Sequence, residues 1–377
     1  GVFSTSHVGQ LITVATGGIL FITEYVSSTK VRANTRVALS GTSIPSGDWE
    51  LETGYELVWS STRGYPVSIA FFQQRLWFGG SKSRTQTVWA STTNDYFDFD
   101  LGTAADSDAI SVTIDDTHVN PIRHLHVGRN LAVFTSGAEF YFQATGSAIT
   151  PTSLISQKAT THGCSNIAPM DIDGIVAFNE ASQAGARAFV FNDVEASYTA
   201  ENISTLATSL IDSPVSADVR PATAEHPSNY LYMVNSNGTI AVLSFLRSQK
   251  LVAWSTFSTQ GSFEQVVVVG SEVYVVVKRN IAGVDVRYIE KFNPTRQLDS
   301  SLSATSGTAT TTFTGFGPLD GEEIYVDSQG STVAESAEVA GGVVTLTAPV
   351  TEIEGGLPFF AKVVSVPLDA VLGNTFQ

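Results

Sequence analysis

His124 and His126 stand two residues apart in an alternating stretch, so a strand through them turns both imidazoles to one face, with His118 nearby in the chain. Such nitrogens can hold a transition metal. The spacing supplies no third and fourth ligand, so the pair reads as a strand face shared with Arg123, and no metal is expected. Cys164 follows His162 and Gly163. A thiol nucleophile normally draws its histidine from elsewhere in the fold, so Cys164 is expected to be structural. Carboxylates come in pairs: Asp98 with Asp100, Asp106 with Asp108, Asp115 with Asp116, and Asp171 with Asp173. Glycoside hydrolysis needs two carboxyls about 5–10 Å apart across a groove. A calcium loop of EF-hand length would end in Glu, and none is present. These pairs flank turns, where an aspartate caps the backbone without further duty. Trp59, Tyr65, Phe71, Phe72, Trp77, Phe78, Trp89, Tyr96, Phe97 and Phe99 could stack on sugars, but their alternation assigns most of them to a core. The glycosylation sequons at Asn202 and Asn237 have no visible secretion signal to give them meaning. No phosphate-cradling glycine loop, serine elbow or HExxH occurs. The expectation is a protein that is not an enzyme, with no catalytic, cofactor-binding or metal residues.

The elements that must carry these residues are strands. Val, Ile, Thr, Phe and Tyr recur with period two in short runs punctuated by Gly, Asn, Asp and Ser. One helix is expected, over Asn202–Ile211, from the apolar set Ile203, Leu206, Ala207 and Leu210. The strands repeat as a unit of strand, tight turn, apolar strand, longer loop and aromatic-rich strand. Its copies start at Ser68, Ile122, Ile167, Asn229 and Glu264. A period of roughly 40–55 residues marks propellers and solenoids, and radial stacking lets each small sheet bury both faces. A large two-sheet sandwich would show the same turns. The expected fold is all-β: a β-propeller of about five or six antiparallel blades over residues 59–299, after a small N-terminal β-module (1–58) and before a C-terminal β-sandwich-like module (300–377). The loops Lys82–Thr85 and Ala181–Ala186 are candidates to narrow a lumen.

The chain has 377 residues, 20 Lys+Arg against 36 Asp+Glu, and a net charge of −16. A protein built to grip phosphates is thereby excluded as the default. With 43% hydrophobic and 15% charged residues the chain is neither disordered nor a coiled coil. No apolar run reaches the roughly 18 residues of a membrane helix, so no membrane insertion is expected. The single cysteine excludes an intrachain disulfide. A start at Gly1 suggests processing or a fragment. Residues 301–377 hold nine acidic residues against Lys362, a net −8, and follow a Ser/Thr/Ala/Gly-rich stretch, Ser300–Thr312, that reads as a linker or a plain edge strand.

From Gly64 on, the chain resembles the phage tail nozzle family, the tail tubular protein B proteins of short-tailed bacteriophages. The likeness rests on Gly64-Tyr65-Pro66, the run Phe71 to Gly80 (FFQQRLWFGG), Thr87–Ser91 (TVWAS) and Asp95–Phe99 (DYFDF). It continues in order through Ala109-Ile110, Leu131–Phe142, Ile149–Ser153, Gly163-Cys164, Tyr232–Leu243, Ala253-Trp254-Ser255, Tyr288–Lys291 and Gly355–Phe359. Each motif alone is weak; their shared order carries the likeness, over about residues 50–366. It implies a virion structural protein, with six copies forming a ring at the distal tail. The ring would join an adaptor protein above and tail fibres beside it, and DNA would pass down its lumen without specific binding. Family members usually have a further N-terminal segment. An acidic lumen is expected, since bound phosphates would add friction. The alternative is a glycan-binding or glycan-cleaving propeller of a phage or bacterial surface, which needs exposed aromatics beside paired carboxylates.

Overall fold

The structure is a computed structural model that describes residues 1–52, 57–146, 148–328 and 331–363, with backbone alone for 331–334. It is all-β, and its helical pieces among those residues are single 3-10 turns. The chain divides into two compact units, residues 1–127 with 144–154, and residues 128–143 with 155–377.

The first unit opens with β1 (Leu11–Val14), β2 (Ile19–Ser27), β3 (Lys30–Val37) and β4 (Trp49–Glu52), paired in the order β3-β2-β1-β4. Ile12, Val14 and Ile22 are its buried side chains, and Phe3 stacks on Trp49 at 5.8 Å. An antiparallel meander follows: β5 (Ser68–Phe72), β6 (Arg75–Gly79), β7 (Thr87–Ala90) and β8 (Ile110–Thr113). β9 (Ile122–Val127) lies beside β5, where the Leu125 amide donates to Ser68 Oγ at 2.7 Å.

The second unit continues as meanders: β10 (Leu131–Thr135), β11 (Glu139–Ala144) and β12 (Leu154–Thr160); then β13 (Met170–Ile172), β14 (Ile175–Asn179), β15 (Ala186–Asn192) and β16 (Ser197–Asn202). After them come β17 (Pro214–Arg220), β18 (Asn229–Asn235), β19 (Ile240–Leu246) and β20 (Leu251–Phe257), and a three-stranded set, β21 (Ser262–Val269), β22 (Glu272–Ile281) and β23 (Val284–Lys291). Their faces are buried in series. Phe134 and Tyr141 pack with Phe178, Phe189 and Tyr198; Ile175 and Ala188 with Leu231 and Leu243; Val234 and Val242 with Val266, Val275 and Val277. Sheet faces buried on both sides explain near-continuous apolar runs such as LAVF, Leu131–Phe134, all of it buried. First strands are also stitched to one another: Ser216 Oγ bonds Val266 N and O, and Asp218 accepts from Val268 N at 2.7 Å. Serially packed antiparallel meanders of three or four strands are the β-propeller-like arrangement expected from the repeat.

β24 (Asp299–Thr314), β25 (Glu323–Ser328), β26 (Ser331–Glu338) and β27 (Val343–Leu357) pair in the order β24-β27-β25-β26. The Ser/Thr-rich stretch is thus the plain edge strand, not a linker. Register shifts between Thr305 and Thr312 bend it with β27 around a core of Phe313, Phe316, Ile324, Val344, Ile353 and Leu357. The sequence also reads as strands over Gly330–Val333 and Lys362–Val366; Lys362 and Val363 are in no strand, and Gly330 and residues 364–366 lie outside the described residues.

The helix expected over Asn202–Ile211 is absent. Asn202 ends β16, only Thr208–Leu210 makes a 3-10 turn, and Leu206 is fully exposed. Local polar bonds win: Asn202 Oδ1 accepts from Ser204 N at 2.8 Å, and Ser204 Oγ accepts from Ala186 N at 2.9 Å. The apolar set still packs, with Ile203 and Leu210 against the β13–β19 core.

Candidate functional site

The motif FFQQRLWF builds one surface of the first unit. β5 and β6 join through Gln73 and Gln74, both in the left-handed region with φ of 48° and 60°. Asn-Gly would fit such a tight turn with less strain. The glutamines anchor neighbours instead: Gln73 Oε1 accepts from Ile149 N at 2.8 Å, and Gln74 O from Asn94 N at 2.9 Å. Arg75, only 2% exposed, turns inward. Its Nη1 donates to Ser91 O (2.7 Å) and Asp108 O (2.6 Å), and its Nη2 to Asp106 O (2.6 Å). The guanidinium thus clamps both ends of the 92–108 loop. That loop lays Tyr96 edge-on against Phe71, ring centroids 5.2 Å apart.

Ile69 and Phe71 alternate to one face of β5 and are 58% and 61% exposed, and Tyr65 and Val67, in the segment that leads into the strand, are 64% and 59% exposed. Ala70 points the other way and is buried. Phe97, 93% exposed, follows Tyr96. The aromatic set expected to be core therefore divides. Trp77 and Trp89 are buried, and Trp59 meets Phe78, Trp89 and Phe99 edge-on at 5.0, 5.4 and 5.5 Å. Tyr65, Phe71, Tyr96 and Phe97 face solvent and are the exceptions to a set that is otherwise buried or half-buried. Alternation was right about period but silent on which face is covered. At the Tyr65 end of the row sits a basic turn. Ser83 N donates to Arg63 O at 2.9 Å, a Cβ added to Gly64 would come within 2.6 Å of Lys82 Cβ, and Lys82 and Arg84 are exposed.

The other candidates are placed as follows. His124 and His126 are half-buried on β9 and His118 is exposed; among the described residues no three His, Cys, Asp or Glu side chains converge on a metal position. Cys164 lies in the core with Phe134 and Phe178, its Sγ 3.7 Å from Ile167 O. The aspartates cap turns: Asp95, Asp98 and Asp100 each accept from the amide two residues on, and Asp108 accepts from Thr103 and Ala105. Asp116 accepts from Thr117 N, and Asp173 from Arg247 N. Lys82–Thr85 and Ala181–Ala186 are tight turns closed by their own backbone bonds, Ser81 N to Arg84 O and Glu180 N to Gly185 O.

Two buried ionic groups had no role assigned from the sequence. Arg279 is 1% exposed; its Nε and Nη2 donate to Glu290 (2.6 and 2.7 Å), its Nη2 and Nη1 to Asp299 (2.8 and 3.1 Å), and its Nη1 to Gln260 O (2.8 Å). All five N–H donors have acceptors. Burial pushes the Asp299 carboxyl up, but hydrogen bonds from Arg279 and Thr259 outweigh it and hold the group below the usual carboxylate range. Strand parity could have found this residue, since Val273, Val275, Val277 and Ile281 share its face and are buried. Glu139 is fully buried; Thr160 Oγ1 and the His162 amide donate to its Oε2, while Oε1 accepts no hydrogen bond among the described residues. Burial raises its pKa more than those bonds and the Arg187 charge lower it.

Comparison with known proteins adds little. No family model matches the chain, and no curated protein does. A solved structure that matches is that of a protein from Lactobacillus plantarum, 11% identical, covering 92% of this chain and 99% of that one at a TM-score of 0.35. No helix among the described residues is long and apolar enough to cross a membrane.

Proposed function

We propose that this chain is a structural subunit of a phage tail nozzle, packing side by side with further copies into a ring through which DNA leaves the virion. The exposed row on β5 carries the reading. Counting about 200 Å² for a fully exposed ring side chain, Tyr65, Val67, Ile69, Phe71, Tyr96 and Phe97 leave on the order of 700 Å² open to water. A monomer's largest apolar patch is ordinarily about 300–600 Å², and one side of a standard interface about 800 Å². An apolar strip of that size is costly unless something covers it. The motif that resembles the nozzle family is the one that builds the strip and clamps its loop. A net charge of −16, multiplied around a ring, opposes DNA adhesion, as a conduit requires. In the virion the ring would meet an adaptor and fibres.

One observation favours glycan binding as a second reading: Phe97 stands exposed among Asp95, Asp98 and Asp100. Against it, Val67 and Ile69 offer neither a stacking face nor a hydrogen bond to a sugar. Negative-stain electron microscopy of the purified chain tests the proposal. Ring averages with an open centre support it; single particles at high concentration that bind a glycan array refute it.

A further inference from the structure

We infer that Glu139 is a proton-controlled pin between two consecutive meanders, holding their joint closed as a neutral carboxylic acid and loosening it when the proton leaves. The device is independent of the ring reading and lies within the second unit. β12 ends at Thr160 and β13 starts at Met170, so residues 161–169 carry the chain from one meander to the next. They are pinned on both sides. Toward β10 and β11, Cys164 N donates to Thr135 O at 2.8 Å and His162 N to Glu139 Oε2 at 3.3 Å. Toward β14 and β15, Ser165 N donates to Asn179 O at 2.9 Å, and Gly163 O accepts from Ala181 N at 3.0 Å. The fit is close, since a Cβ on Gly163 would stand 2.4 Å from Ser136 O and 2.9 Å from Ala181 Cβ. Bonds between backbone groups do not titrate; the bond to Glu139 does.

The surroundings of that carboxyl decide its charge. Its exposure is 0%; Thr160 Oγ1 and the His162 amide both sit on Oε2, the Gly163 amide lies beside the group, and Oε1 accepts no hydrogen bond among the described residues. The cation facing it, Arg187 on β15, is already committed: Nε pairs with Glu180 at 2.7 Å and Nη1 donates to Ala200 O at 2.9 Å. The His162 ring is held below its usual range by burial and the Arg187 charge, against the pull of Glu180, so it brings no second cation near neutral pH. An ionised Glu139 is therefore a buried anion with one bare oxygen, far costlier than a neutral carbonyl left without a donor. With the proton on Oε2, the Thr160 hydroxyl turns to accept it, the His162 amide keeps its acceptor, and Oε1 becomes that neutral carbonyl. The folded pKa is raised, so the closed joint is favoured at low pH and loses that support as pH rises through the folded value.

Hydrogen exchange on the full chain between pH 5 and 8 tests the device. Exchange at the His162, Gly163 and Cys164 amides should rise with pH more steeply than at the amides of β15, by up to about tenfold per pH unit above the folded pKa of Glu139. In Glu139→Gln, a neutral mimic of the acid, the excess slope should vanish. In Glu180→Gln, which frees Arg187 to neutralise Glu139, it should shrink, and in His162→Asn it should persist. Native amides at 162–164 that track β15 across the range overturn the inference, an outcome that needs no variant to fold. An excess slope that survives Glu139→Gln, or that vanishes in His162→Asn, overturns it as well.

Discussion

Replacing Arg279 by Met removes the centre of a buried ionic knot while keeping most of the side chain's length and apolar stem. In the native protein its five N–H donors meet Glu290, Asp299 and Gln260 O, and the two carboxylates are only 19% and 18% exposed. Methionine leaves both anions facing each other in a half-dry site. Breaking a buried pair this way costs about 3–5 kcal/mol. In a unit of this size, with about 2–4 °C per kcal/mol, the melting temperature falls by roughly 6–20 °C. Arg279→Lys keeps the charge but not the fork and should fall in between. The pH dependence gives a second check with a definite sign. Asp299 has a depressed folded pKa, so its contribution is present above its unfolded pKa of about 3.9 and is lost as pH falls through the lower folded value. Without Arg279 that carboxylate is buried without its cation and gains from protonation. The deficit of R279M is therefore largest near neutral pH and shrinks as pH falls toward 4. Urea denaturation followed by tryptophan fluorescence between pH 7 and 4 reads both quantities. A loss below about 1 kcal/mol at pH 7, or a deficit that grows on acidification, refutes the reasoning.

Gly163 has φ of +69°, and a Cβ there would stand 2.4 Å from Ser136 O, so Gly163→Ala should cost well over the roughly 1 kcal/mol expected of Gly9→Ala, whose φ is +88° in open space; thermal melts compare the two. Glu139 has a raised folded pKa, so its favourable contribution is present below its unfolded pKa and lost as pH rises through the folded one. The stability of Glu139→Gln relative to the native chain should therefore improve as pH rises from 5 to 8, and a difference that stays flat or reverses in urea titrations would count against the placement of that carboxyl. Arg75→Met should free the 92–108 loop, giving faster amide exchange and proteolytic cutting between Asp95 and Asp108, with Tyr96 lifted from Phe71; unchanged protection there contradicts the clamp.

The fold was legible because its signals are local. Turns such as Asp173-Gly174 and Gly270-Ser271 sit between alternating apolar runs, and each expected strand of the repeat has its counterpart in the meanders. The strands passed over are less apolar or flanked by polar loops: β8 (ISVT), β16 (SYTAEN) and β17 (PVSADVR). The helix failed because Ser204 and Asn202 bond locally and to Ala186, a strand partner that no window of ten residues contains. The candidate surface was legible only in part. Tyr65, Phe71, Tyr96 and Phe97 were picked out by type, but exposure depends on what packs over β5, which lies far away in the chain. The burial of Arg75 and Arg279 was not foreseen, since an arginine in a strand ordinarily faces water, and only their partners reverse that: backbone carbonyls of Ser91, Asp106 and Asp108 for Arg75, and Gln260 O, Glu290 on β23 and Asp299 on β24 for Arg279.

The central claim is that the β5 row is an assembly surface of a ring-forming tail protein. Negative-stain class averages of the full chain and of Ile69→Asp, at the same high concentration, test it most directly. The account predicts rings with an open centre wide enough for a DNA duplex in the native chain and isolated particles in the variant. Isolated particles in both, or rings in both, would contradict it.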